Sequence, residues 1–220
     1  LRHNSGDKRG RLNCPAQTVR KSAVGRESSE QSSCGRKRAV RGVVGLGGRI
    51  LSVNFFDYAK FVSPVKKFGI VDLDDTNGKF PAKIVYDDSE KWNATVICNN
   101  RDDYLFVPID NNADISLTRT NDEGEEESDN RCDAMLGTKQ TVCFIELKNE
   151  RENWLPHAVK QLESTIAEFG ENIEKFKFKK AYACNLKQPN SSPLYSNTQT
   201  QFYRAHKIVL RTKAEIEELK

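Results

Sequence analysis

Asp133, Glu146 and Lys148 are the residues of this chain whose types and spacing best suit chemistry. Val142–Lys148 reads as a strand, and alternation along it places Val142, Phe144, Glu146 and Lys148 on one face and Cys143, Ile145 and Leu147 on the other. A carboxylate and an ammonium therefore share a face. Cys132–Leu136 reads as a preceding strand, joined to the first around Gly137–Gln140. If that hairpin closes about Thr138-Lys139, Asp133 pairs with Phe144 and Glu146 is its diagonal neighbour. Asp133, Glu146 and Lys148 then converge within roughly 7–8 Å.

Two carboxylates on one rigid face can hold a hard divalent cation, Mg²⁺ or Mn²⁺, which keeps several waters and bridges to phosphate oxygens. A lysine beside them can offset developing negative charge or orient an attacking water. These are the parts of a metal-assisted phosphodiester hydrolysis site. Asp133, followed after twelve residues by Glu146-Leu147-Lys148, resembles the active-site signature of the PD-(D/E)xK nuclease superfamily, the restriction-endonuclease-like fold. The resemblance implies that Asp133 and Glu146 bind Mg²⁺ with the Leu147 carbonyl, that Lys148 helps activate water, and that the substrate is DNA. Glu218-Leu219-Lys220 repeats the tripeptide where the sequence reads as the solvated end of a terminal helix, so the tripeptide alone carries little weight. What raises Glu146-Leu147-Lys148 is its setting: an apolar strand, an aspartate on the strand before, and an amphipathic helix after.

On that helix Gln161 lies one turn from His157 and from Thr165, beside the apolar stripe. It resembles the helix glutamine that reaches the active site in several branches of the family. His157 reads as a surface or capping residue. Asp110, in Val107-Pro108-Ile109-Asp110, is a second candidate metal aspartate, closer to the family's proline-aspartate form but 36 residues before Glu146; hairpin geometry favours Asp133. Cys132 stands where the family often has proline. Lys175, Lys177, Lys179 and Lys180 could supply a basic cleft face or simply mark a solvated junction.

These residues need elements to hold them. Apolar clusters at Phe55–Phe61, Gly69–Leu73, Lys83–Tyr86, Ala94–Cys98 and Tyr104–Ile109 read as short strands, with Asn99–Asp103 as a hairpin loop. Asn54–Val62 is the one upstream stretch that could instead be the helix of the family core. Asp122–Asp129 reads as a solvated acidic loop. Leu155, Ala158, Val159, Leu162, Ile166 and Phe169 fall at helical spacing and stop at Gly170, with Pro156 harmless in the first turn. Strands at Ala181–Leu186 and Ala205–Leu210 and a charged helix from about Lys213 complete the chain. The order predicts an α/β (α+β) fold: a restriction-endonuclease-like mixed sheet with a crossover helix, behind a strand-rich N-terminal part and a flexible basic head.

The 220 residues suit one ordinary domain, here 49–220 with core motifs at 131–186. Residues 1–48 read as a mobile extension or a segment foreign to the native chain. Residues 1–50 hold 12 Lys and Arg, 3 Asp and Glu, 8 of 13 glycines and no aromatic residue, too little to bury a core. The basic excess of the protein belongs to this head, while the remaining 170 residues carry 23 Lys and Arg against 28 Asp and Glu. Gly42, Gly45, Gly47 and Gly48 form a tether rather than a dinucleotide loop, since no strand precedes them and no periodic helix follows. No run approaches the roughly 18 apolar residues of a membrane span, and nothing near the start resembles a secretory signal. Six cysteines without C-x-x-C or neighbouring histidine argue against structural zinc, and Cys98, Cys132, Cys143 and Cys184 in apolar runs suit a reduced, cytoplasmic setting. Cutting both strands of DNA with one site per chain would favour a homodimer. Two other readings remain open: a non-catalytic nucleic-acid or protein platform on the same fold, and a small-molecule or structural α/β protein with chance carboxylates.

Overall fold

The computed structural model describes residues 53–72, 79–87, 91–115, 118–120, 126–128, 130–190 and 192–219. The basic head, with its glycine tether, lies outside the described residues, as do 121–125 and 129 of the acidic run. The strands are β1 (Lys60–Phe61), β2 (Lys67–Val71), β3 (Lys83–Val85), β4 (Ala94–Ile97), β5 (Leu105–Pro108), β6 (Thr118–Thr120), β7 (Glu126–Ser128), β8 (Ala134–Gly137), β9 (Thr141–Lys148), β10 (Phe178–Asn185), β11 (Val209–Arg211) and β12 (Glu215–Ile216). The helices are α1 (Trp154–Phe169) and α2 (Ser196–His206). A six-stranded mixed sheet runs β1-β5-β8-β9-β10-β11, a four-stranded sheet runs β12-β4-β2-β3, and β6 pairs with β7. The α+β reading holds.

β5, β8 and β9 form an antiparallel meander, and α1 then carries the chain over the sheet so that β10 lies parallel to β9. Such a parallel return needs a crossover, here α1. Alternation along β9 sorts its side chains as the sequence predicts. Val142 and Phe144 pack with Leu155, Ala158, Leu162 and Phe169 of α1, whereas Cys143, Ile145 and Leu147 pack with Phe68, Ile70 and Val96 of the second sheet. The central sheet is thus covered on both faces, which is why β9 is buried along nearly its whole length.

Several expected elements differ. Phe55–Tyr58 is a single 3-10 turn and only Lys60–Phe61 is a strand, β1, so Asn54–Val62 is not the upstream helix and the Phe55–Phe61 cluster is a strand only at its end. Phe55 instead stacks on Phe169 at 5.9 Å between ring centroids. β4 and β5 do not form a hairpin: both edges of β4 are occupied, by β2 and β12, and Asn99 and Asn100 take positive φ of 51° and 63° as the chain leaves for the other sheet. The acidic run is not all loop, because Glu126–Ser128 is β7. Ala205 and His206 end a helix, α2, and the strand after it starts at Val209. The terminal segment is a strand, β12, followed by a docked tail. Leu219 is fully buried, its N–H donates to the Tyr104 hydroxyl at 2.7 Å, and its carbonyl accepts from Arg101.

Candidate active site

The β8–β9 turn is tighter and one position later than its sequence suggests. Thr138 N–H donates to the Thr141 carbonyl at 2.9 Å, leaving Lys139-Gln140 as the two-residue loop. Gly137 makes room for the Phe56 ring, which occupies the space a Cβ would need. The register pairs Ala134 with Ile145 and Gly137 with Val142. Extended by one residue, it sets Asp133 directly opposite Glu146, whereas closure about Thr138-Lys139 predicts Asp133 opposite Phe144. The slip is an even number of residues, so each side chain keeps its face and the carboxylates come closer than predicted.

Glu146 is completely buried on the α1 face. Its Oε1 lies 2.6 Å from Lys148 Nζ in an ion pair, and neither carboxylate oxygen has a well-directed hydrogen bond. A buried carboxylate normally satisfies both oxygens. Burial, then the neighbouring Asp133 charge, drives the Glu146 carboxyl well above its ordinary range, because one ion pair does not compensate for the loss of water. Asp133 is 8% exposed, and its Oδ2 accepts the Leu147 N–H at 2.6 Å. Burial pushes Asp133 up to about 7; the Leu147 hydrogen bond opposes this, and the charges of Asp72 and Asp110 add to it.

Lys148 Nζ also donates to Gln161 Oε1 at 2.7 Å, and Gln161 Nε2 donates to the Arg131 carbonyl at 3.1 Å. Burial pulls the Lys148 ammonium down, but Glu146 and Asp133 more than offset it, so its pKa ends above the ordinary value. Gln161 is thus the helix residue that bridges the lysine to the segment that carries Asp133 into β8. His157 is exposed.

Leu147 N–H faces the β8 side of β9, since it meets Asp133, while the Lys148 carbonyl faces β10, where it accepts from Leu186 N–H at 2.8 Å. Backbone groups of successive strand residues point to opposite neighbours, so the Leu147 carbonyl shares the Asp133 side. Asp133, Glu146 and that carbonyl could therefore hold a hard cation, and the buried Glu146 carboxylate, whose Oε1 meets only Lys148 and whose Oε2 has no partner, fits such a group. Among the described residues no three His, Cys, Asp or Glu side chains form a metal cage by themselves. An ion here would complete its shell with backbone oxygen, water and substrate phosphate, which is the habit of Mg²⁺.

Asp110, the second candidate aspartate, lies beside Asp133 rather than apart from it. The N–H of Ile109 donates to the Asp133 carbonyl at 2.9 Å, which brings Asp110 beside the site, where its charge acts on both Asp133 and Glu146. The lysine run lies elsewhere. Phe178 pairs with Thr141 and Asn185 with Lys148, so Lys175, Lys177, Lys179 and Lys180 sit at the far end of the sheet, roughly 20 Å from Lys148 at about 3.3 Å per residue.

Three contributors escaped sequence reasoning. Asp72, just past β2, arrives from the other sheet. Thr165 is fully buried, accepts the Cys132 N–H at 2.8 Å and donates to the Gln161 carbonyl at 3.0 Å, tying α1 to the residue before Asp133. Asn185 is also fully buried, opposite Lys148, and its Nδ2 donates to the Glu150 carbonyl at 2.8 Å, fixing the exit of β9. A polar residue closing the apolar run Ala181–Cys184 was the signal for Asn185; Thr165 within the helix stripe was another. Comparison with family models, with curated proteins and with solved structures finds no match to the chain.

Proposed function

We propose that this chain is a Mg²⁺- or Mn²⁺-dependent nuclease that hydrolyses phosphodiester bonds in DNA, with Asp133, Glu146, Lys148 and Gln161 at its centre. The observation that carries the reading is Glu146: a fully buried carboxylate with no directed hydrogen bond, opposite a second carboxylate and 2.6 Å from a lysine. A protein gains nothing in stability by burying such a pair, since removing carboxylates from water costs several kcal/mol (about that order) per charge. Function accounts for an arrangement that folding does not. The mixed sheet and crossover helix also suit the restriction-endonuclease-like resemblance.

The Leu147 N–H holds Asp133 in place, while Glu146 and the Leu147 carbonyl present oxygens to the same region. The cation, when bound to these residues, would polarise the phosphate and lower the pKa of water. Lys148 places its ammonium where negative charge grows on the phosphate oxygens, and a preset charge in a water-poor site is worth more than one in solvent. Gln161 fixes that ammonium through Oε1 and is itself fixed to the Arg131 carbonyl. Reorganisation at Lys148 during the reaction is thereby reduced.

The test is cleavage of supercoiled plasmid and of single-stranded DNA with Mg²⁺, with Mn²⁺ and with EDTA, for the parent and for Glu146→Gln. Cation-dependent cleavage that falls at least about a hundredfold in the variant is expected, given the several kcal/mol such carboxylate-held ions contribute. No cleavage by the parent under any of these conditions would leave the fold as a non-catalytic platform.

A further inference from the structure

Two cavities flank one exposed ring at the β1 edge of the central sheet. Phe61 is 82% exposed, although it sits in a strand. On one side of it a cavity of about 540 Å³ is lined by Phe56, Phe176, Leu105, Thr138, Lys139 and Lys175, together with Asn54, Asp102 and Asp103. On the other side a cavity of about 360 Å³ is lined by Lys60, Lys83, Ile84, Tyr86, Phe106 and Pro108. Phe61 lines both. Tyr86 is 47% exposed, with its hydroxyl accepting the Ser63 N–H at 3.1 Å, so its ring is fixed.

We infer that this paired groove is a docking track for single-stranded DNA, in which bases stack on Phe61 and Tyr86 and lysines follow the phosphates. The inference rests on the nuclease reading for its choice of DNA and deepens it by naming the substrate form. Exposed aromatic rings interleaved with cations are what sequence-tolerant binding of single strands requires, because every unpaired base offers a π-face whereas a duplex hides its own. The cavities are large enough to admit bases. Charge agrees: Lys139 and Lys175 line the first cavity with Asp102 and Asp103, Lys60 and Lys83 line the second, and Asp103 is engaged by Arg101 through two contacts of 2.8 and 2.6 Å. The groove is thus basic, although residues 51–220 carry 23 Lys and Arg against 28 Asp and Glu. Direction agrees as well. β5 runs from Leu105 in the first cavity to Pro108 in the second, and two residues later the chain reaches Asp110 beside Asp133. A strand lying in the groove would run toward the end of the sheet where Pro108 pairs with Ala134, next to Asp133.

Binding is measured by fluorescence anisotropy of a labelled twenty-residue oligothymidylate and of a duplex of the same length, in EDTA. The full chain carrying Asp133→Asn is used, alone and with Phe61→Ala, so that binding is read without cleavage. The inference expects oligothymidylate to bind tighter than duplex, and Phe61→Ala to weaken it by about tenfold while duplex affinity hardly moves. Lys139→Gln and Lys175→Gln should each reduce the salt slope for oligothymidylate by about 0.7. Phe61 is exposed enough that its loss should leave the melting temperature unchanged, which is checked alongside. Equal affinity for both DNAs with no effect of Phe61→Ala would overturn the inference, as would displacement by oligouridylate in preference to oligothymidylate. Single-strand binding of this kind without any cation-dependent cleavage by the parent would sink the nuclease reading alone. Cleavage of plasmid without single-strand binding would sink the groove alone.

Discussion

Replacing Asp133 by Asn should stabilise the metal-free protein at pH 8 and leave it unchanged at pH 4. Asp133 is 8% exposed, and burial, with help from Asp72 and Asp110, raises it to about 7. An unfolded aspartate titrates near 3.9, so between about pH 4 and pH 7 the folded protein holds the extra proton. The protonated Asp133 therefore contributes stability that is fully present below about pH 4 and is lost as pH rises through about 7. The gap between those values corresponds to about 4 kcal/mol as a ceiling, at about 1.4 kcal/mol per pH decade. Water entry and side-chain relaxation around the charged form should reduce that to roughly 2 kcal/mol, or about 4–8 °C for a domain of this size. The amide oxygen of the replacement can keep the Leu147 N–H that Asp133 Oδ2 accepts at 2.6 Å, so that donor keeps its partner. Thermal melts of Asp133→Asn and parent in EDTA at pH 4, 6 and 8 measure this directly. Mg²⁺ added at pH 8 should raise the parent's midpoint and not the variant's. An Asp133 that merely paired with Lys148 on a sheet face would give the opposite sign, about 0.2–1 kcal/mol of destabilisation. A variant that melts lower at pH 8, or a difference independent of pH, would refute the reasoning.

Lys148→Ala should retain Mg²⁺ binding by calorimetry, since both carboxylates stay, yet lose about a hundredfold in cleavage because the charge set against the phosphate is gone; loss of Mg²⁺ binding would place Lys148 in a purely structural role. Gln161→Ala should cost less than that, as it removes the tether of the 2.7 Å Lys148 contact and not the ammonium, and unchanged kinetics would show that the tether has no catalytic consequence. Thr165→Val strands the Cys132 N–H that Thr165 accepts at 2.8 Å and should cost about 1–3 kcal/mol. Its signature is faster amide exchange at Cys132 and Asp133, and exchange confined to α1 would contradict the latch.

The division of β9 into two faces was legible in the sequence, because alternation is a property of the strand itself. Phe144 and Glu146 could face α1 only if Cys143 and Leu147 faced away, whatever packed against them. The same holds for α1, whose apolar residues at helical spacing define its inner face, and for Gln161, whose place on the helix follows from counting turns. Partners were another matter. Register between β8 and β9 depends on a turn whose chemistry could close at Thr138-Lys139 or at Lys139-Gln140, and the choice was made by packing, including the Phe56 ring over Gly137. α2 was missed because Ser196–Gln201 is polar and only Phe202 anchors it, so no apolar stripe announces it. The tail was misread as a helix because charge pattern cannot show that Ile216 joins β4 or that Leu219 reaches Tyr104. The burial of Glu146 was also beyond the sequence, since the letter alone carries no exposure. That burial follows from α1 closing over the sheet end while the four-stranded sheet covers the other face, and it turns an ordinary glutamate into a group short of partners. Local periodicity is written in the chain, whereas long-range pairing and the loss of water arise only when distant segments meet.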